Sequence, residues 1–146
     1  MFRCLYLIGF LSMIWVAAQD IVPDDPEVQM QMHAMFYTAR VACADENMIP
    51  YANVLQFNNT GDLPDDKDRA TSMCYFNCFF EKSGLMTDYK LNTDLVRKYV
   101  WPATGDSVEA CEAEGKDETN ACMRGYAIVK CVFTRALTDA RNKPTV

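Results

Sequence analysis

Seven cysteines, at positions 4, 43, 74, 78, 111, 122 and 131, constrain this chain more than any other feature. An odd number in a disulfide framework leaves either a spare thiol or a residue that processing removes. The N-terminus points to the second. Arg3 precedes an apolar run from Cys4 to Ala17, and Val16-Ala17-Ala18 sets small residues where signal peptidase cuts. The run is short for a bilayer and lacks a basic stop-transfer flank. Residues 1–18 are therefore expected to be a secretory signal peptide, with no membrane anchor. The domain at 19–146 keeps six cysteines, and losing Arg3 takes its formal charge from −6 to −7.

A chain of 146 residues suits one domain, and its 50% apolar content can fill a core. The acidic balance argues against nucleic acid, which calls for clustered Lys and Arg. His33 is the single histidine, no Cys-x-x-Cys pair occurs, and so no metal is expected. No other cofactor is expected either. In a secreted chain the six cysteines read as three disulfides.

Apolar spacing is helical almost throughout, and no stretch alternates with a period of two between hairpin signals. Six helices are expected. The first opens at Asp25-Pro26-Glu27, which supplies a cap, a first-turn proline and an acid at the positive end of the dipole. Val28, Met32, Met35, Ala39 and Ala42 mark its apolar face, and it ends near Asn47. A short second helix spans 51–57, before a loop at Asn58-Asn59-Thr60-Gly61. The third starts around Pro64-Asp65-Asp66 and ends at Ser83-Gly84. The fourth opens at Asn92 or Thr93 and stops before Pro102. Asp106-Ser107-Val108-Glu109 reads as a capping box for the fifth, closed by Gly115. The sixth runs from near Asp117 to about Ala136, and a polar tail at 137–146 is expected to be loosely held.

On the third helix Cys74 and Cys78 share one face, a turn apart, and are poorly aimed to bond each other. Cys122 and Cys131 are nine residues apart and project from opposite sides of the sixth helix. That helix is tethered on two flanks, which places it centrally. Six cysteines still allow fifteen connectivities.

The series Cys43-x30-Cys74-x3-Cys78-x32-Cys111-x10-Cys122-x8-Cys131 resembles the insect odorant-binding protein family in its six-cysteine form, the pheromone and general odorant-binding type. The x3 and x8 spacings are that family's most fixed features, and the resemblance covers the whole of 19–146. It implies bridges Cys43–Cys78, Cys74–Cys122 and Cys111–Cys131. It also implies an all-α fold, six helices in a compact disulfide-linked domain enclosing an apolar ligand cavity.

A hollow core gives three bridges a purpose. Ligand pockets span about 300–1,000 Å3, and empty apolar volume costs about 24 cal/mol per Å3. The smallest such cavity would cost about 7 kcal/mol, which three disulfides at about 2–4 kcal/mol each offset. The plainer reading is that secreted chains carry disulfides anyway. The side chains favour a cavity as a set. Met73, Phe76 and Phe80 lie on one side of the third helix, with Tyr75 and Phe79 on an adjoining strip. Phe57 closes the second helix, and Leu85 and Met86 follow the third. Leu95 and Tyr99 come from the fourth helix, and Tyr126, Val129 and Phe133 from the sixth. These eleven, the adjoining strip excepted, are the candidate ligand-binding residues, although ordinary core packing accounts for any single one. The hydroxyls of Tyr75, Tyr99 and Tyr126 suit an alcohol, aldehyde or ester headgroup.

Asn58-Asn59-Thr60 is a glycosylation sequon with Asn58 as acceptor. Catalysis is not expected. The chain lacks the Cys-Cys-x-x-His-Asp helix of secreted phospholipases A2, has no Gly-x-Ser-x-Gly elbow, and offers no nucleophile–base pair. The expected function is a secreted carrier. It would bind a small hydrophobic molecule (odorant, pheromone or fatty-acid-like) reversibly and move it through sensillar lymph or other extracellular fluid. It would act as a monomer or weak homodimer, with a chemosensory receptor as downstream partner. The alternatives are a non-olfactory lipid carrier of the same fold and a secreted helical signalling protein.

Overall fold

The computed structural model describes residues 25–143. The expected signal peptide, Cys4 included, and residues 144–146 lie outside that range. Contacts divide the chain into two compact units, Met1–Ala34 and Met35–Val146. The elements are α1 (Pro26–Asn47), α2 (Tyr51–Thr60), α3 (Arg69–Lys82), β1 (Met86–Thr87), β2 (Lys90–Leu91), α4 (Thr93–Tyr99), a 3-10 turn (Glu109–Ala113) and α5 (Ala121–Asn142).

In the first unit the described chain is the start of α1. The Asp25 carboxylate accepts from the Glu27 N–H at 3.0 Å, and its carbonyl accepts from the Gln29 N–H at 3.0 Å. This satisfies two of the donors that a helix start leaves open.

The second unit is built on α3 packed along α5. Three disulfides surround that pair: Cys43–Cys78 ties α1 to α3, Cys74–Cys122 ties α3 to α5, and Cys111–Cys131 ties the 3-10 turn to α5. The two cysteines of α3 reach different partners, and those of α5 leave from opposite flanks. Phe57, Phe80, Leu85, Met86, Val96, Val108, Ile128, Val129 and Val132 are fully enclosed. Aromatic contacts knit this core. Phe57 lies 4.0 Å from Phe76 and 4.9 Å from Phe133, ring centroid to centroid, and Phe80 lies 6.2 Å from Phe133.

Several expectations need correction. Five α-helices form among the described residues where six were expected. The stretch expected as the fifth is the short 3-10 turn, because its capping box is otherwise engaged. Ser107 Oγ donates to the Thr104 carbonyl at 2.9 Å, and Glu109 pairs with Arg97 at 3.3 Å. The fold is mostly helical, as expected, with one small addition among the described residues. β1 and β2 form an antiparallel ladder pairing Met86 with Leu91 and Thr87 with Lys90. The ladder turns on Asp88 and Tyr89, both at positive φ, without the Asn-Gly or Asp-Gly that usually marks such a turn. It is held from outside. Glu112 accepts from the Leu91 N–H at 2.9 Å and pairs with Lys90 at 3.1 Å. The Arg124 guanidinium lies 4.0 Å from the Tyr89 ring centre.

Other boundaries move. α2 continues through Asn58 to Thr60, so the sequon is helical rather than in a loop. Left-handed Gly61, at φ 79°, ends the helix by donating its N–H to the Phe57 carbonyl at 2.7 Å. α3 starts at Arg69, later than expected, because residues 65–68 form a turn in which the Asp66 carboxylate accepts from the Asp68 N–H at 2.9 Å. α5 starts at Ala121, where Asn120 accepts from the Met123 N–H at 3.0 Å. It runs past residue 136 to Asn142, and this part of the tail is anchored. The Trp101 indole N–H donates to Asp139 at 2.7 Å, and Arg141 donates to the Asn59 carbonyl at 3.2 Å. On α1 the buried positions are Phe36, Ala39 and Cys43, a face set by the direction of the Cys43–Cys78 bridge. Met35 and Ala42 of the expected stripe are only half-buried.

Candidate functional site

A cleft opens where α1, α2, α3 and α5 of the second unit meet. It has two adjoining lobes that share Arg40, Asn58, Phe79 and Phe133. The smaller, of about 260 Å3, is closed by Phe36, Leu85, Tyr99 and Val100. The larger, of about 500 Å3, is walled by Val41 and Ala44 from α1, Tyr51, Val54 and Leu55 from α2, Tyr75 and Phe76 from α3, and Ile49 between the first two helices. Both lobes are partly open to solvent. Where the resemblance implies an enclosed cavity, these two lobes form, among the described residues, a partly open cleft. Its rim residues Val41, Tyr51 and Leu55 remain exposed, since no described element lies over them.

Each wall follows from local structure. Phe36, Arg40 and Ala44 are four apart on α1 and so share a face. Tyr75 and Phe79 repeat that spacing on α3, with their rings parallel at 6.5 Å. Phe36 bridges the walls, edge-on to Tyr99 at 5.2 Å and tilted against Phe79 at 6.3 Å. Such aromatic pairs add stability beyond their buried area and hold the walls in a fixed geometry. Arg40 carries the only charge among the described residues that line either lobe. Its guanidinium lies 5.6 Å from the centre of the Phe79 ring. Burial pushes the Tyr75 phenol above its ordinary range, against the opposing pull of Arg40.

Of the candidate ligand-binding residues, Phe76, Leu85, Tyr99 and Phe133 line the cleft. Phe57, Phe80, Met86 and Val129 are fully buried in the core. Leu95 is half-buried, close to Gly84. Met73 lies in a separate groove of about 440 Å3 beside Cys74 and Cys122. Tyr126 is buried away from both lobes, and its hydroxyl is already committed. It donates to Asp62 at 2.7 Å and accepts from the Leu63 N–H at 3.0 Å. Burial and the Asp62 carboxylate push this phenol far up. Asn58, the glycosylation candidate, is exposed and borders both lobes.

Sequence reasoning did not single out Phe36, Arg40, Val41, Ala44, Val54 or Leu55. The signal lay in Cys43. A half-cystine must face its partner, so residues three, four and seven before it turn toward the same side. These are Arg40, Ala39 and Phe36.

A family model described as the PBP/GOBP family matches residues 26–135. The chain belongs to this family, the insect odorant-binding proteins of the sequence resemblance. General odorant-binding protein 84a of Drosophila melanogaster is 79% identical over 123 residues, which are 84% of this chain and 64% of that protein. The chain thus spans less than two thirds of that relative's length. Pheromone-binding protein Gp-9 of Solenopsis globularia littoralis is 25% identical over 113 residues, 72% of this chain and 71% of that protein. No solved structure matches. The PBP/GOBP family is one of binding proteins, and a mostly helical, disulfide-linked unit with an aromatic cleft agrees with that class. Among the described residues no helix is long and apolar enough to cross a membrane.

Proposed function

We propose that this protein is a secreted carrier that takes up a small hydrophobic molecule in the two-lobed cleft, releases it reversibly, and carries it through extracellular fluid. The observation that supports this most is the aromatic lining of Phe36, Phe76, Phe79, Phe133 and Tyr99, open to solvent and backed by a disulfide-tied helix pair. A partly open apolar cleft lets a ligand enter without unfolding the domain, and rigid aromatic walls limit the entropy lost on binding. Odorants, pheromones and fatty-acid-like molecules are the ligand classes in view. The proposed partner of the loaded form is a chemosensory receptor. A non-olfactory lipid carrier would use the same cleft.

The rim favours one second reading. Val41, Tyr51 and Leu55, which border the larger lobe together, are 43%, 75% and 43% exposed, and exposed apolar groups gathered in one place mark contact surfaces. A secreted interaction protein would use that rim instead of the cleft. Titration with an apolar naphthylamine dye separates the two. A carrier takes up the dye at micromolar concentration and gives it up to apolar competitors. Phe79→Ala, which removes part of both lobes, is expected to weaken uptake by about 10-fold or more, the burial energy of a good part of one aromatic side chain. Dye affinity unchanged in Phe79→Ala, or absent in the native chain, would move function from the cleft to the rim.

A further inference from the structure

The charge placement in the cleft is at odds with the charge of the chain. Acidic residues outnumber basic ones 20 to 14 overall, yet among the described residues no carboxylate lines either lobe, and both are lined by Arg40. An arginine at the surface of an acidic protein ordinarily finds a carboxylate partner. Asp62 pairs with Arg69 and Lys130, Glu46 with Lys82, Glu109 with Arg97 and Glu112 with Lys90. Arg40 has no such partner among the described residues. It rests over the face of Phe79 and lies close enough to Tyr75 to act on its phenol. A guanidinium resting on an aromatic ring keeps its edge N–H donors free, in the fork that suits the two oxygens of a carboxylate.

The neighbouring polar groups have the same character. Asn58 lines both lobes with Arg40, Tyr75 lines the larger and Tyr99 the smaller. None of the three has a side-chain hydrogen bond within the described chain. The raised Tyr75 phenol remains a neutral donor. These groups add donors around a cation, while the walls beyond them are Phe, Leu, Val and Ile. A purely apolar ligand leaves Arg40 unused and partly desolvated. An amine ligand opposes it. An amphipathic anion satisfies it and extends a tail along a lobe.

Resting on the carrier reading above, we propose that the cleft selects amphipathic carboxylates, with Arg40 holding the carboxylate at the junction of the lobes and the alkyl tail lying against Phe79 and Phe133. The plainer account is that Arg40 is an exposed, hydrated side chain that lies beside the cleft and ignores its contents. The two accounts differ in headgroup preference at constant tail length.

The experiment displaces a bound naphthylamine dye with dodecanoic acid, dodecanol and dodecylamine at neutral pH, for the native chain and for Arg40→Gln, Arg40→Lys and Arg40→Glu. In the native chain dodecanoate is expected to bind at least about fivefold more tightly than dodecanol, with dodecylamine weakest, a difference in the range of one partly solvated charge-assisted pair. Arg40→Gln should bring dodecanoate and dodecanol to near parity, the ratio of the two affinities being the quantity read. Arg40→Lys should keep part of the preference, and Arg40→Glu should place dodecylamine ahead of dodecanoate. Circular dichroism of each variant shows that the fold is retained. Equal binding of dodecanoate and dodecanol by the native chain overturns the proposal and leaves the carrier reading standing. A carboxylate preference that survives in Arg40→Gln overturns it as well. Failure of the native chain to take up the dye or any of the three competitors sinks both.

Discussion

Asp62 shows how much one side chain organises. It follows α2, and its carboxylate meets Lys130 at 2.8 Å, Tyr126 at 2.7 Å and Arg69 at 3.1 Å. Burial alone would push this carboxyl up. The hydrogen bonds from Lys130, Tyr126 and Arg69 outweigh it and hold the pKa at about 2, against an ordinary value of 3.8. A folded pKa below the unfolded one means the stabilisation is complete above the unfolded pKa and is lost as pH falls through about 2. The side chain is 42% exposed, so solvent screens much of the Coulomb attraction and the shift overstates the stability at stake. Asp62→Asn is expected to cost about 1–2 kcal/mol at pH 6, through weakened charge-assisted bonds rather than full ion-pair energy. The difference in unfolding free energy between native and variant should shrink steadily as the pH is lowered toward 2. Denaturant melts at several pH values measure it, and a gap independent of pH would assign the cost to shape instead of charge. The same cluster withdraws the Tyr126 hydroxyl from any ligand. A tyrosine on an apolar helix face reads identically in sequence whether its hydroxyl meets a ligand or a carboxylate brought in from a loop 64 residues away.

At the scale of elements, α3 and α5 come close at Gly125. A methyl group placed there would lie 1.7 Å from Asn77 Oδ1 and 2.5 Å from its Cγ. The two helices are also stitched by Cys74–Cys122, with a Cα separation of 4.5 Å. Gly125→Ala gains helix propensity of about 1 kcal/mol, but the overlap forces Asn77 out of its rotamer or the helices apart, at about 1–3 kcal/mol. A net loss of stability is expected. Asn77→Ala in the same chain should restore part of it, since it removes Oδ1 and Cγ and the buried oxygen has no hydrogen-bond partner. A double-mutant cycle by thermal melts tests this, and additive effects would show that the two residues do not collide. What was legible in the sequence divides along the same lines. The α-helices announce themselves by spacing, by Asp25 and Asn92 at the starts of α1 and α4, and by left-handed Gly84 after α3. The 3-10 turn and the β1–β2 ladder do not. Their geometry is imposed by Arg97 on Glu109 and by Glu112 on the ladder, contacts between residues 12 and 21 or more positions apart. The cleft was half legible for a similar reason. Phe76, Leu85, Tyr99 and Phe133 follow from apolar spacing, but Arg40, outside the expected apolar stripe of α1, becomes a cleft residue only once Cys43 fixes the rotation of that helix.

For the molecule as a whole, the three bridges have unequal roles. They close loops of 35, 48 and 20 residues for Cys43–Cys78, Cys74–Cys122 and Cys111–Cys131. Chain entropy alone assigns each about 3–4 kcal/mol, and the shortest the least. On that ground, removing any one should lower stability by similar amounts. Their relation to the cleft is different. α3 and α5 remain packed together without help from Cys43–Cys78, and Cys111–Cys131 lies on the flank of α5 away from Phe133. From Met35 onward, α1 supplies Phe36, Arg40, Val41 and Ala44 to the cleft, and its ties to α3 are the Cys43–Cys78 bridge, the exposed Lys82–Glu46 pair at 3.0 Å and the contacts of Phe36 and Arg40 with Phe79. An exposed pair contributes at most about 1 kcal/mol, so the bridge is the strong link holding that wall in place. Cys43→Ala with Cys78→Ala is therefore expected to weaken dye uptake by about 10-fold or more at a temperature where the variant is still folded. Cys111→Ala with Cys131→Ala, at a comparable loss in melting temperature, should stay within about threefold of native affinity, because stability and cleft geometry are then separate quantities. Dye titrations on both variants, matched by circular dichroism for folded fraction, decide the point. If the two lose affinity equally, the bridges act only through global stability, and the position of α1 does not depend on the cysteine that sets its rotation.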